Sequence, residues 1–133
     1  MEIRNLKVLL DTHAVPLVFG DPARLGKESR RTLESCDPEE IAISDFSLYE
    51  LAVLLERGRI KVSQPADTVL GEIASRITLV SLDAEIALEA IRLPLPHGDP
   101  FDRVIVATAR KYRLPLITRD TIIMGSKLVK TIW

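Results

Sequence analysis

Four short apolar runs constrain this chain more than any other feature: residues 7–11 (Lys-Val-Leu-Leu-Asp), 41–44 (Ile-Ala-Ile-Ser), 77–82 (Ile-Thr-Leu-Val-Ser-Leu) and 116–118 (Leu-Ile-Thr). Continuous apolar runs of this length read as strands buried on both faces. Segments of helical pattern separate them. Parallel strands need such long crossovers, and the crossovers are right-handed. Every strand's C-terminal end, and the start of the helix after it, then falls on one edge of the sheet. Ligands of open α/β sheets bind at that edge. The expected fold class is therefore α/β, with a mostly parallel sheet covered on both faces.

The helical segments follow from their punctuation. A short helix is expected from Thr12 toward Phe19, with Pro16 near its start, and a turn at 20–22. A charged helix spans 25–36 and is broken at Asp37-Pro38. The segment 46–57 is apolar at Leu48, Leu51, Ala52 and Leu55, with Gly58 as its stop. Residues 65–75 form another helix, with Pro65 in its first turn. Asp83 caps a helix through Arg92. Residues 93–98 form a loop. Asp99-Pro100 opens a helix through Tyr112, with Asp as N-cap and Pro at N1. A fifth strand is expected over 128–133.

At 133 residues and 47% hydrophobic, the chain suits one domain over residues 1–133 with its own core. Its one cysteine, Cys36, cannot form an internal disulfide, which suits a reducing compartment. The first residues lack a signal-peptide pattern, and no apolar run reaches membrane-spanning length. A cytoplasmic protein is expected, with no membrane partner. A net charge of −1 excludes nucleic-acid binding through bulk charge. The charge is uneven, however: residues 81–102 carry five acids and one base, and residues 103–133 carry seven bases and one acid. That pattern fits a metal site beside a phosphate-binding rim, and equally fits solvated helix faces.

Five acids fall on the functional edge. Asp11 ends the first strand, Glu50 lies early in the helix after the second, Asp99 and Asp102 start the helix before the fourth, and Asp120 follows the fourth. Crowded carboxylates repel one another unless a cation neutralises them. Oxygen ligands of this kind suit Mg²⁺ or Mn²⁺. Each acid also has a local structural reading. Ser47 and Glu50 have capping-box spacing, Asp99 and Asp102 suit a helix start, Asp11 suits a cap and Asp120 suits a turn. Together these readings are less satisfying, because Glu50 is a charge set among leucines. Arg103 and Arg119, each next to an acid, are candidate phosphate clamps. Thr118 is a further candidate, as a phosphate contact or a group that orients an acid, and Ser47 is a weaker one. His13 and His97 flank the acids; both are placed to contact metal or phosphate, but the favoured reading is of solvated loop residues. Asp45 either extends the acidic rim or favours a helix start.

These segments resemble a known family. Leu-Leu-Asp-Thr-His-Ala at 9–14, Ser-Leu-Tyr-Glu-Leu-Ala at 47–52, His-Gly-Asp-Pro-Phe-Asp-Arg at 97–103 and Ile-Thr-Arg-Asp at 117–120 resemble the PIN-domain nucleases, and among them the VapC-type toxins of toxin–antitoxin pairs. The segments stand in family order and cover nearly the whole chain; the 97–103 stretch is the most specific. The resemblance implies a single PIN-like nuclease domain of three α/β/α layers with about five strands. It also implies metal-dependent endonuclease activity on RNA. By position, Asp11, Glu50 and Asp102 match the core metal-binding acids, Asp120 the more variable fourth, and Asp99 the additional acid. It further implies a homodimer and a cognate antitoxin whose helix and tail cover the site. Pro16 departs from the family pattern, which continues an uninterrupted helix there.

Two other readings stand beside it. In a signalling receiver domain, Asp11, Asp83, Thr118 and Lys127 would do the chemistry, leaving Glu50, Asp99 and Asp102 unexplained. In a catalytically silent RNA- or protein-binding module on the same fold, the full set of acids has no purpose.

Overall fold

A computed structural model describes residues 5–96 and 98–133. His97, expected to flank the acids, lies outside the described residues. Five strands, β1 (Val8–Leu10), β2 (Ile41–Ser44), β3 (Thr78–Val80), β4 (Leu116–Ile117) and β5 (Thr131–Ile132), form one sheet in the order β3-β2-β1-β4-β5. Every pairing is parallel, with Leu9 opposite both Ala42 and Leu116.

Strand side chains alternate between faces, and the core divides accordingly. Leu9, Ala42, Val80 and Leu116 lie on one face with Ile86 and Ala90 of α5 (Ala84–Arg92), Ile105 of α6 (Pro100–Tyr112) and Ile123 of α7 (Thr121–Ser126). Val8, Leu10, Ile41, Ile43 and Ile117 lie on the other. There they pack with Val15 of α1 (Val15–Gly20), Leu33 of α2 (Lys27–Glu34), Leu51 of α3 (Asp45–Glu56) and Ile73 of α4 (Ala66–Arg76). The result is the expected three-layer arrangement around a five-stranded sheet.

The strand order disposes of the receiver reading, because receiver sheets run 2-1-3-4-5. Asp83, the acid that reading needs, is instead the N-cap of α5. Its carboxylate accepts from Ile86 N–H at 2.8 Å and is paired with Lys111.

Several boundaries moved for identifiable reasons. Pro16 sits in the first turn of α1, where its missing N–H costs nothing, and residues 12–14 before it form a 3₁₀ turn instead of continuing one helix. Helix α3 starts earlier than expected because Ser44 is its cap, accepting from Phe46 N–H at 3.2 Å. Ser47 and Glu50 therefore do not form a capping box. Asp45 opens α3, and its carboxylate accepts from Leu82 N–H at 3.1 Å, tying α3 to the loop before α5. Gly58 ends the helix as expected. With φ at +67°, it completes a Schellman turn in which Gly58 N–H reaches Leu55 O at 3.1 Å and Arg59 N–H reaches Leu54 O at 2.8 Å. Among the described residues no helix is long and apolar enough to cross a membrane.

Candidate active site

Asp11 leaves the end of the central strand β1, and its N–H is held by Ile117 O at 3.0 Å. The residue is buried. Its Oδ2 accepts the Thr118 hydroxyl at 2.7 Å, and the Thr118 oxygen in turn accepts Asp120 N–H at 3.0 Å. Thr118 thus links two of the acids. Its one proton is given to Asp11 and the side chain is buried, so its hydroxyl positions an acid at the edge of the cleft. Burial pushes the Asp11 carboxyl above its ordinary value, and Asp120 adds to the rise. The Thr118 hydroxyl and His13 oppose it.

Glu50 projects from the second turn of α3. Burial raises its pKa too, with Asp99 and Asp11 contributing, while the neighbouring Thr12 hydroxyl opposes the shift. Thr12 also donates to the buried Ser47 hydroxyl at 3.0 Å, fixing the turn after β1 against α3.

Asp99 caps α6, accepting from Phe101 N–H at 2.9 Å, and Asp102 stands in the first turn of that helix. The Asp102 carboxyl is raised to about 7. Burial is the largest cause, followed by the charges of Asp99, Asp11, Asp120 and Glu50. All four other acids are therefore within electrostatic reach of this one carboxyl. Asp120 caps α7, with Oδ1 accepting from Ile122 and Ile123 N–H at 2.9 and 3.0 Å. For Asp99 and Asp120, the capping role and the place in the cluster hold together.

The fit to a cation rests on two observations. Every candidate ligand is a carboxylate oxygen, which suits a hard divalent ion. Asp11 Oδ1 and Glu50 Oε1 are both buried without a hydrogen-bond partner, and buried polar atoms are nearly always satisfied. Among the described residues no three His, Cys, Asp or Glu side chains already stand as a closed ligand group. The acids share one electrostatic space without converging on a preformed cage.

The cleft beside Asp11 and Asp120, of about 580 Å³, has a basic wall of Arg24, Arg59 and Arg119. Arg119 lines this cleft together with Asp11 and Asp120. Its guanidinium lies 5.6 Å from the Trp133 ring centre, and Trp133 O accepts Ser29 N–H at 2.9 Å. Gly26 permits that approach, since a Cβ there would lie 2.1 Å from Trp133 O. Arg24 and Arg59 were not singled out from the sequence. Neither adjoins any of the five candidate acids along the chain, and only the Gly58 turn hinted that Arg59 is firmly placed.

Arg103 corrects the sequence expectation. Its guanidinium donates to Ala90 O and Leu93 O at 2.9 Å and to Leu95 O at 3.0 Å. It binds the carbonyls at the end of α5 and the loop beyond, so it holds α5 to α6 and is not a phosphate clamp. A larger cleft, about 700 Å³, lies among Val18, Phe19, Leu25, Leu33 and Ile77. It is apolar and contains none of the five acids.

The PIN-domain family profile matches residues 8–124. Over 114 residues the chain is 35% identical to Ribonuclease VapC22 of Mycobacterium tuberculosis, covering 85% of this chain and 86% of that one. A DNA-bound VapBC structure from Salmonella typhimurium superposes with a TM-score of 0.69 at 20% identity, over 95% of this chain and 96% of that one. Mycobacterium tuberculosis VapC20, described as a sarcin-ricin loop cleaving toxin, superposes with a TM-score of 0.62 at 18% identity, over 90% and 95% of the two chains. With these matches spanning nearly all of the sequence, the chain belongs to the PIN-domain family and stands among the relatives of VapC.

Proposed function

We propose that this protein is a divalent-metal-dependent endoribonuclease, hydrolysing RNA phosphodiester bonds as the toxin of a toxin–antitoxin pair. The observation that carries the reading is the pair of buried, unpartnered carboxylate oxygens, Asp11 Oδ1 and Glu50 Oε1, at the C-terminal edge of the sheet, with Asp99, Asp102 and Asp120 within electrostatic reach. Asp11, Glu50 and Asp102 would hold Mg²⁺ or Mn²⁺, with Asp99 and Asp120 completing the set. A bound ion supplies charge neutralisation at the phosphate and lowers the pKa of water. Thr118 keeps Asp11 and Asp120 in register. Arg24, Arg59 and Arg119 bind and orient the sugar–phosphate backbone along the cleft. In hydrolysis a water oxygen joins phosphorus, one ester P–O bond breaks, and the departing oxygen takes up a proton.

A second groove supports the reading of an antitoxin partner. Leu51, Leu55 and Val69, with Lys61, Glu72 and Arg76 at its sides, line a groove of about 500 Å³ that shares Pro16, Leu17, Arg24 and Ile60 with the acidic cleft. A polypeptide seated there would lead straight to the acids. Ile91 and Leu88, 77% and 48% exposed on α5, offer an apolar face for the proposed homodimer. The single cysteine, Cys36, accords with a cytoplasmic setting.

The test is cleavage of a mixed RNA pool with Mn²⁺ by the wild type and by Asp102→Asn. The wild type should cleave, and the variant should fall by orders of magnitude with its circular dichroism unchanged. Equal cleavage by a clean preparation of the variant would refute the assignment.

A further inference from the structure

Arg119, in the basic wall of the cleft, has an exposed side chain on a fixed main chain. It stands between Thr118, which is tied to Asp11, and Asp120, which caps α7. None of the ion pairs among the described residues includes it. A free arginine side chain must be ordered when it grips a phosphate, and that ordering subtracts from affinity. One contact orders it in advance. The guanidinium lies 5.6 Å from the centre of the Trp133 ring, within the range at which a cation is drawn to an aromatic face. Tryptophan is the strongest ring for this purpose.

The ring is itself firmly seated. Ile132, the residue before it, accepts Thr118 N–H at 3.1 Å, so β5 delivers Trp133 beside the end of β4 that leads to Arg119. Trp133 O accepts the N–H of Ser29, in the first turn of α2, at 2.9 Å. Gly26 leaves the room for this seat: a Cβ there would lie 2.1 Å from Trp133 O and 2.6 Å from ring Cδ1. The ring also packs on the core between the sheet and helices α1 to α4. Strand, helix start and core thus hold it from three sides. Trp133 and Arg119 both line the cleft that contains Asp11 and Asp120. Of the three arginines in its wall, Arg119 is the one that adjoins a candidate acid, Asp120, along the chain.

We propose that Trp133 is a positioning residue: its ring, seated against Gly26 and Ser29, holds the Arg119 guanidinium at the acidic cleft, ready for a phosphate of the RNA backbone. The proposal rests on the nuclease reading. The ring acts through Arg119 and serves neither the metal nor the RNA directly. It therefore governs how tightly RNA is held and leaves metal binding and the chemical step as they are.

The experiment compares Trp133→Leu, which fills the apolar seat without an aromatic face, with Trp133→Phe, which keeps one. Cleavage of one defined RNA that the wild type cuts is followed with Mn²⁺. Trp133→Leu should raise KM about three- to tenfold, the size of a cation–π contact at an open site, with kcat and Mn²⁺ affinity nearly constant. Trp133→Phe should recover most of the loss. Arg119→Ala should raise KM too, and Trp133→Leu added to it should raise it no further. Trp133 is the one tryptophan in the sequence, so Arg119→Ala should also change the protein's tryptophan emission as the cation leaves the ring. A wild-type KM in Trp133→Leu overturns the proposal, as does a phenylalanine variant no better than the leucine one. An equal rise in KM on the Arg119→Ala background also overturns it, because the ring would then act without the arginine. Should neither ring variant fold, emission unmoved by Arg119→Ala overturns it. Failure of the nuclease reading looks different: the wild type would leave every RNA intact with Mn²⁺, and the positioning role would fall with it whatever the emission.

Discussion

Arg103 and Thr118 show how a side chain's partners decide its role. Both sit next to, or within two residues of, an acid, and sequence proximity makes both look like phosphate ligands. Arg103 instead places its planar fork on three carbonyls, a geometry that lysine cannot reproduce. Arg103→Ala and Arg103→Lys should therefore both lose stability, by about 1–3 kcal/mol for the alanine as the part-buried carbonyls lose their donors. Thermal melting reads this directly. A phosphate clamp would behave otherwise, weakening RNA binding with no change in melting temperature. Thr118→Val should leave the fold intact while lowering metal affinity about 10- to 100-fold, as loss of a group that orients a ligand does. Titration calorimetry with Mn²⁺ checks it, and an affinity unchanged from wild type would remove Thr118 from the site.

The helix starts carry the acids, so capping and chemistry overlap at the scale of elements. Asp99 both caps α6 and contributes charge to Asp102. Asparagine caps about as well as aspartate. Asp99→Asn should thus keep the wild-type melting temperature but weaken Mn²⁺ binding, whereas Asp99→Ala should lose about 1 kcal/mol of stability as well. Equal melting temperatures for the two variants would separate Asp99 from the cap.

Much of this arrangement was readable in advance. Val8–Leu10, Ile41–Ser44 and Leu116–Ile117 are apolar runs too short for helices, and Asp83 and Asp99 are cap residues followed by helical patterns. Helix α7 was not foreseen. Its sequence, Thr-Ile-Ile-Met-Gly-Ser, has β-branched residues and a glycine, and the double cap by Asp120 overrides that weak propensity. The basic wall was equally hidden, since Arg24 and Arg59 reach the cleft only through tertiary packing.

Across the whole molecule, the acid cluster links stability to pH and to cations. Asp102 rises from 3.8 to about 7 in the folded chain, and Asp11 and Glu50 shift the same way. Between those two values the folded state keeps a proton that the unfolded state has released. Stability must then fall as pH rises through that window, and the full cost is present above about 7. Glu40 and Asp83, whose pKa values are lowered, act with the opposite sign, at or below the ordinary carboxylate range. In EDTA the melting temperature should drop by several degrees between about pH 5 and pH 8. Millimolar Mn²⁺ should restore it, because a ligand of the folded state stabilises by mass action. Asp102→Asn should flatten the EDTA profile. A wild-type profile that is flat across this range would show that neither burial nor the neighbouring charges raise these carboxyls in the folded chain.

The most direct measurement is calorimetric titration of Mn²⁺ at neutral pH into the wild type, Asp11→Asn, Glu50→Gln and Asp102→Asn. Saturable binding by the wild type is expected, weakened at least about tenfold in each variant, because each removes a carboxylate from the same shared space. Unaltered affinity in all three variants, with their folds intact, would mean that these acids do not hold a common ion.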